Sequence, residues 1–123
     1  MTIPKKAKPF LKWAGGKRQL LEHLRSRVPT HGTYHEPFIG GGALFFDIVP
    51  ERAILADFND RLVRTYTSVR DNPEAVIDRL STYPNEKRFF LSMRQRDIDA
   101  ECDEELAAWM IFLNRTGFNG LYR

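Results

Sequence analysis

The stretch that decides the fold is His35-Glu36-Pro37-Phe38-Ile39-Gly40-Gly41-Gly42-Ala43-Leu44-Phe45-Phe46. A short extended run leads into three glycines and then into an apolar helical run. Glycine lets the backbone turn sharply, adopt a positive φ and bring its N–H groups close to a ligand. The free N–H groups at the start of the next helix lie at the same point. This order predicts either a nucleotide-type ligand site or a plain tight turn, and the glycines alone leave both open.

The glycines match the dinucleotide fingerprint only in part. The pattern G-x-G-x-x-G requires a third glycine at position 45, where this chain has Phe45. The carboxylate of Glu36, just before the loop, would repel phosphate, but it suits a cationic ligand or the backbone donors of the loop. The departure therefore argues against a pyrophosphate cofactor.

Length and composition indicate one modest domain or a piece of one, since the chain has 123 residues of which 42% are hydrophobic. The net charge of +3 is compatible with a polyanionic partner but does not demonstrate one. The single Cys102 excludes an internal disulfide framework, and no cluster has zinc-ligand spacing. Residues 1–10 carry three lysines without a following apolar run, which predicts neither a signal peptide nor a membrane span. We expect a cytoplasmic, reducing location.

The elements around the glycines predict an α/β fold class. Residues 52–57 read as a buried strand that ends on Asp57. In α/β sheets of this kind, an acid at the end of the second strand, roughly 20 residues beyond the glycine turn, accepts hydrogen bonds from ribose hydroxyls. Asp57 could also be the N-cap of the following helix, a role that Asn59 could fill equally well. Neither role excludes the other.

A second glycine turn lies near the N-terminus, after residues 1–9, which read as a loose arm. Leucines at helical spacing follow Lys17 until Pro29 stops the pattern, so Lys17 falls at a helix start, where a cation opposes the helix dipole. This placement predicts a carboxylate partner for Lys17. Trp13, beside the same turn, is interpreted either as a core aromatic or as the wall of a pocket.

Four further helices are predicted in the second half of the chain. The first has one apolar face, the second begins at Asn72-Pro73 with proline at its first position, and the last starts from the acidic run 101–105. The apolar face of the first is expected to be Leu62, Val63, Tyr66 and Val69. The third, about residues 86–97, carries arginines interpreted as a solvated face: Arg88, Arg94 and Arg96.

The end of the chain has a different composition. Residues 114–123 alternate polar, aromatic and basic side chains around two glycines, without an apolar period to pack. Such a composition suits contact with nucleic acid, because guanidinium groups bind phosphates or guanine edges and aromatics stack on bases. A disordered terminus is the alternative interpretation.

Four blocks taken together resemble the Dam-like (D12 class) DNA adenine-N6 methyltransferases. Their order also matches, and the resemblance covers about residues 10–123. The blocks are Phe10-Leu11-Lys12-Trp13-Ala14-Gly15-Gly16-Lys17, Glu36-Pro37-Phe38-Ile39-Gly40-Gly41-Gly42, Leu55-Ala56-Asp57-Phe58-Asn59 and residues 112–123.

The resemblance implies an S-adenosylmethionine site on a Rossmann-like methyltransferase sheet. It places Trp13 and Lys17 at the border of the cofactor, with the lysine meeting its carboxylate. It implies that Phe38, Gly40 and Gly42 form the floor of the cofactor site and that Asp57 binds the ribose. At the DNA surface it implies contacts from Asn119 and Arg123 and stacking by Phe118.

One departure from the family is large. Its Asp-Pro-Pro-Tyr motif follows the Asn-Gly-Leu block at some distance, and no Pro-Pro pair occurs here. In the family that motif holds the flipped adenine in line with the methyl group. We therefore expect residues 1–123 to be the N-terminal, cofactor-binding part of the domain, with an incomplete fold and without the target-recognition region. No catalytic residue is assigned, and these residues alone are not expected to catalyse the reaction.

The function implied for the full-length protein is transfer of a methyl group from S-adenosylmethionine to N6 of adenine in double-stranded DNA. No metal or membrane is expected to take part, and a restriction endonuclease of the same system would be a further partner. Two alternatives are a nicotinamide-dependent oxidoreductase, which would require the missing third glycine, and a non-catalytic DNA-binding remnant. The remnant would not depend on Trp13, Lys17 or Asp57.

Overall fold

The structure is a computed structural model that describes residues 7–117. They form two compact units, which divide between Asp57 and Phe58. Both strands belong to the first unit, and the second is helical. The mixed helix and strand content predicted from the sequence is confirmed. Within this described part, no helix combines the length and the apolar composition that a membrane span requires.

The first unit begins with a short helical segment. A 3₁₀ turn over Arg18–Leu20 leads into α1, Leu21–Arg25. Backbone hydrogen bonds continue as turns as far as Val28, one residue before Pro29. The predicted helical segment therefore exists, but its regular part is shorter than its apolar pattern.

The predicted order of strand, glycines, helix and strand is confirmed. β1 (Tyr34–Glu36) leads through the glycine loop, defined here as residues 38–42, into α2 (Ala43–Ile48), and β2 (Ala53–Leu55) follows. The two strands are parallel, with Glu36 opposite Leu55. Parallel neighbours need a crossover connection, which α2 supplies. The segments that leave both strands therefore lie at the same end of the sheet.

The prediction that β2 is buried was wrong. Ala53 and Ile54 are exposed, with 57% of Ile54 accessible, and Leu55 is only half-buried. Among residues 7–117 the sheet contains two strands. A run of apolar residues makes a buried strand where both faces of the sheet are covered, and a two-stranded ribbon gives less cover.

The two helices of the first unit are joined by an ion pair. Arg25 on α1 binds Asp47 on α2 through two parallel contacts, Nε to Oδ2 at 2.6 Å and a terminal nitrogen to Oδ1 at 3.0 Å. The ring of Phe46 packs edge-on against that of Phe10, with centroids 6.4 Å apart. These contacts hold α2, and so the far end of the glycine loop, in the unit.

Glycine is required in the loop for two reasons. Gly40 and Gly42 have φ values of +55° and +80°, in the left-handed region that side chains with a Cβ seldom adopt. A Cβ on Gly40 would stand 3.2 Å from Cδ1 of Trp13, and one on Gly41 would stand 3.1 Å from the carbonyl oxygen of Leu11. The segment from Leu11 to Trp13 therefore lies directly against the loop.

The second unit consists of four helices and a 3₁₀ turn at Ile98–Ala100. Its helices are α3 (Asp60–Asp71), α4 (Pro73–Ser81), α5 (Lys87–Arg94) and α6 (Asp103–Thr116). Pro73 stands at the first position of α4, as predicted. Proline is favoured there because its missing N–H would have no partner inside the helix.

Helix α6 is the core of the second unit. It packs against α3, α4 and α5, and residues 106–110 are each at most 2% exposed. A helix that is buried on every face must be apolar on every face, and this part of α6 is. The alanines at 107 and 108 form a cluster with Val76 of α4, so small side chains let these two helices approach. The predicted apolar last helix is confirmed.

Two predictions about burial in the second unit require correction. Of the predicted apolar face of α3, Leu62 is buried and Tyr66 and Val69 are half-buried, but Val63 is exposed. Thr65 and Ser68 are buried beside Leu62 instead. Thr65 can be buried because its hydroxyl donates to the carbonyl oxygen of Arg61 at 2.7 Å. The second error concerns Asn114, which was assigned to a terminal segment without packing but is 1% exposed on α6, which ends at Thr116.

A charged cluster around Glu105 ties α6 to the chain on either side of α5. Its carboxylate accepts hydrogen bonds from Tyr83 at 2.5 Å, Arg96 at 2.7 Å and Arg79 at 2.9 Å. Arg96 also lies 3.3 Å from Glu101. The interpretation of Arg96 as part of a solvated face was therefore wrong. Arg96 binds the Glu105 carboxylate on α6. The apolar periodicity of residues 86–97 could not reveal this partner, because it lies outside that segment.

We expect Gly40→Ala to destabilise the protein more than Gly15→Ala. Both positions have a positive φ, so alanine adds strain of about 1–2 kcal/mol at each. A Cβ on Gly15 meets nothing within 4 Å, whereas one on Gly40 meets Trp13. Overpacking should therefore cost Gly40→Ala about 1–3 kcal/mol more. Urea unfolding measures the free energy of unfolding of both variants, and the extra loss of Gly40→Ala should vanish in a Trp13→Ala background. Equal losses for the two variants would mean that the indole of Trp13 moves aside without an energetic cost.

We expect Glu105→Gln to lower the free energy of unfolding at pH 7 by about 1–2 kcal/mol, because it weakens charge-assisted hydrogen bonds at a partly exposed site. Burial opposes ionisation, but the hydrogen bonds from Tyr83 and Arg96 hold the pKa of Glu105 below its ordinary value. Such a carboxylate stabilises the fold above its unfolded pKa, about 4.3, and this is lost as pH falls through the folded value. Parent and variant should therefore converge as the pH falls below the lowered folded pKa of Glu105.

The matched control for this experiment is Glu101→Gln. The carboxylate of Glu101 lies 3.3 Å from Arg96 and its side chain is 46% exposed, so loss of its charge should cost less than about 0.5 kcal/mol. An equal loss for both variants, or a difference between parent and Glu105→Gln that persists in acid, would contradict the role assigned to the Glu105 carboxylate.

Candidate functional site

The carboxylate that follows β2 reaches the glycine loop. Oδ2 of Asp57 accepts a hydrogen bond from the backbone N–H of Gly40 at 3.0 Å. One residue earlier, the carbonyl oxygen of Ala56 accepts from the N–H of Ile39 at 2.9 Å. The chain after β2 is therefore bonded to the chain after β1 at two consecutive points, which places an acidic side chain at the loop.

The N-cap of α3 is Asn59. Its side-chain oxygen accepts from the N–H of Leu62 at 3.2 Å. The sequence left this role open between Asn59 and Asp57, and the side chain of Asp57 is bonded to Gly40 instead. Asp57 also binds the loop donor that the sequence had considered for Glu36.

Lys17 has the carboxylate partner that its position predicted. Its Nζ lies 3.5 Å from Oε2 of Glu36, and it donates a hydrogen bond to the carbonyl oxygen of Phe38. The lysine side chain is 31% exposed and that of the glutamate 5%. A cation at the start of a helical segment is thus compensated by a buried anion and by a carbonyl dipole at the loop.

Tyr34 completes the surroundings of Glu36 and was missed from the sequence. Its hydroxyl donates to Oε1 of Glu36, so the two carboxylate oxygens face different partners. Residues two apart on a strand share a face, and a tyrosine two positions before a glutamate was the available signal. Burial, and then the hydrogen bond to Glu36, raise the pKa of Tyr34, which therefore stays a protonated donor near neutral pH.

Two aromatic residues lie at the glycine loop. Trp13 is half-buried, with its ring against Gly40, so it is neither an interior core residue nor fully exposed. Phe38 exposes 58% of its surface while its carbonyl oxygen binds Lys17. Gly42 is buried and forms the N-cap of α2, where its carbonyl oxygen accepts from Phe46 at 2.9 Å.

All six predicted cofactor residues thus lie at the glycine loop. Phe38, Gly40 and Gly42 belong to it, and Trp13, Lys17 and Asp57 contact it. The residues predicted to contact DNA, namely Phe118, Asn119 and Arg123, lie outside the described residues. Within residues 7–117 no group of three or more His, Cys, Asp or Glu side chains is arranged to hold a metal ion.

The groups at the loop can bind and orient a small ligand. A carboxylate accepts hydrogen bonds from hydroxyl groups, a glycine backbone admits close approach, an aromatic ring offers a flat apolar face and an ammonium attracts an anion. S-adenosylmethionine carries a ribose, a purine and an amino-acid carboxylate, so this set of side chains fits it.

The sequence was compared with protein families and with individual proteins. A family model described as D12 class N6 adenine-specific DNA methyltransferase matches residues 13–123. A Type II methyltransferase of Lactococcus lactis subsp. cremoris is 44% identical, over 94% of this chain and 43% of its own length. Another, from Methanocaldococcus jannaschii, is 36% identical over 94% of this chain and 48% of its own length.

A DNA adenine methylase of Vibrio cholerae is 34% identical, over 97% of this chain and 44% of its own length. The chain thus spans less than half the length of each of these three relatives. The family match nevertheless covers nearly all of the chain and includes every residue of the glycine loop. The resemblance inferred from four short blocks is confirmed, and the chain belongs to the D12 class of N6 adenine-specific DNA methyltransferases.

Proposed function

We propose that the full-length protein transfers a methyl group from S-adenosylmethionine to N6 of adenine in DNA. Residues 1–123 would be the N-terminal, cofactor-binding part of its methyltransferase domain. The observation that carries the proposal is the hydrogen bond between Gly40 N–H and Asp57, because it brings an acid at a strand end to a glycine loop. Membership of the family supports the same reaction.

The proposed fold of the complete domain is Rossmann-like. The parallel β1-α2-β2 arrangement supports it, with the loop and Asp57 at the ends of neighbouring strands. In open α/β sheets, ligands bind beyond the carboxyl ends of the strands. The position of the glycine loop after β1 supports the proposal.

Each residue at the loop has a distinct task in the proposal. Asp57 accepts hydrogen bonds from the ribose, and Lys17 binds the carboxylate of the amino-acid moiety. Trp13 and Phe38 border the cofactor, while Gly40 and Gly42 keep the floor free of side chains. When bound, S-adenosylmethionine supplies a methyl group on a sulfonium centre. The residues of this chain bind and orient it, and the motif that positions the adenine is expected elsewhere in the protein.

The proposed substrate is double-stranded DNA. Relatives are named DNA adenine methylase and Type II methyltransferase, and the latter name supports a restriction endonuclease as a further partner. We propose that Asn119 and Arg123 contact DNA and that Phe118 stacks on a base. The composition of residues 114–123 supports this, since it combines amide, guanidinium and aromatic groups.

We expect Asp57→Ala to weaken binding of S-adenosylhomocysteine by about 1.5–3 kcal/mol, roughly tenfold to a hundredfold, because it removes charge-assisted hydrogen bonds to the ribose. Calorimetric titration measures this. Asp57→Asn separates binding from folding, because its amide oxygen can still accept from Gly40 while the charge is lost. It should stay folded and bind weakly. Asp78→Ala, at an exposed site on α4, is the matched control.

Unchanged affinity in folded Asp57→Ala would show that this acid does not hold the ribose. If the parent protein binds NAD saturably and does not bind S-adenosylhomocysteine, the oxidoreductase alternative is favoured instead.

We expect Arg123→Ala to weaken DNA binding by the full-length protein without changing its affinity for the cofactor. If Arg123 binds a phosphate, the loss should be similar on all duplexes and the salt slope should flatten by about one unit. If it reads a guanine edge, the loss should be about 1–3 kcal/mol and confined to one base position. Fluorescence anisotropy over a salt series, on cognate and scrambled duplexes, distinguishes the two. Unchanged binding on every duplex would remove Arg123 from the interface.

A further inference from the structure

Glu36 is the most deeply buried carboxylate at the glycine loop. The residue is 4% exposed, and it lies at the end of β1 with its backbone oxygen bonded to the N–H of Ala56. A buried carboxylate is costly unless charge and hydrogen bonds compensate it. Two side chains supply that compensation, Tyr34 at Oε1 and Lys17 at Oε2.

The partners of Glu36 form a chain that ends at the loop. Tyr34 donates to Glu36, Glu36 attracts Lys17, and Lys17 donates to the carbonyl oxygen of Phe38. The tyrosine is on a strand and two positions from the glutamate, so its backbone is fixed by the sheet. Lysine has a long, flexible side chain that loses entropy when it is held in one place. The two residues of β1 therefore limit where the ammonium group of Lys17 can be.

We propose that Tyr34 and Glu36 are positioning residues for Lys17. They hold its ammonium group beside the glycine loop, where it binds the carboxylate of the amino-acid moiety of S-adenosylmethionine. This inference rests on the proposed function of the same site. It adds two residues that do not themselves touch the cofactor, and it assigns the hydroxyl of Tyr34 a role in cofactor affinity.

The charges explain why such a device is useful. Without Glu36, the ammonium group of Lys17 would be unrestrained and would sample many positions in solvent. Without Lys17, the buried carboxylate of Glu36 would repel the carboxylate of the ligand. Tyr34 donates to one carboxylate oxygen of Glu36 and Lys17 lies near the other, so each oxygen that carries the negative charge has a donor beside it. Lys17 is 31% exposed on its side chain, so it can meet a ligand while Glu36 restrains it.

The test compares two ligands. S-adenosylhomocysteine carries the amino-acid moiety, whereas 5′-methylthioadenosine has the same nucleoside without it. Tyr34→Phe removes only the hydroxyl and keeps the ring, so packing is preserved. We expect this variant to bind S-adenosylhomocysteine about three- to tenfold more weakly than the parent, as measured by calorimetry on the full-length protein. Its affinity for 5′-methylthioadenosine should change less than twofold.

A double-mutant cycle with Lys17→Met identifies the group through which Tyr34 acts. In the Lys17→Met background, Tyr34→Phe should change the affinity for S-adenosylhomocysteine less than twofold, because no ammonium remains to be positioned. Glu36→Gln, which keeps the shape of the side chain, should give the same ligand-selective loss as Tyr34→Phe. A general disturbance of the fold would instead lower the affinity for both ligands.

Two outcomes would overturn the inference, and they differ from failure of the proposed function. Tyr34 would be a merely structural residue if Tyr34→Phe lost equal affinity for both ligands, or lost as much affinity in the Lys17→Met background as in the parent. In either case the parent would still bind the cofactor, so the proposed function would stand. A parent protein that binds neither ligand would overturn the proposed function and this inference together.

Discussion

The hydrogen bond from Gly40 N–H to Oδ2 of Asp57 is the contact on which the candidate site depends. It needs a backbone N–H in the loop as the donor, and Gly40, whose φ is +55°, supplies it. It also needs an acceptor at the end of the neighbouring strand. The parallel pairing of β1 and β2 satisfies this second condition because both strands end on the same side. Without this contact, the loop and the acid would be two unrelated sequence features.

The same loop is shaped from its other side by the N-terminal segment. Trp13 and the carbonyl oxygen of Leu11 stand so close to Gly40 and Gly41 that a Cβ at either glycine would meet them at 3.1–3.2 Å. Glycine thus serves packing as well as conformation. The loop is consequently the place where residues far apart in the sequence are brought together, as a ligand site requires.

Charge is arranged differently in the two units. In the first, one buried carboxylate, Glu36, faces a tyrosine and a lysine beside the loop. In the second, Glu105 binds two arginines and a tyrosine and joins α6 to its neighbours. Because Glu105 is surrounded by residues of its own unit that have no predicted ligand role, its cluster is best explained as structural. The Glu36 cluster differs because it reaches the glycine loop.

Local features of the sequence were enough to predict the order of elements and the family. Glycines mark turns, Pro73 marks a helix start, and a lysine at the start of the first helical segment indicates an anionic partner, because each depends on neighbours in the sequence. Only the tertiary structure decided that this partner is Glu36, that Asp57 binds Gly40 while Asn59 caps α3, and that Thr65 and Asn114 are buried. Arg96 was likewise misjudged, since its partner Glu105 lies on α6, outside the segment that was interpreted. Periodicity reports which face of one element is apolar, whereas burial and pairing depend on what the fold places opposite that face.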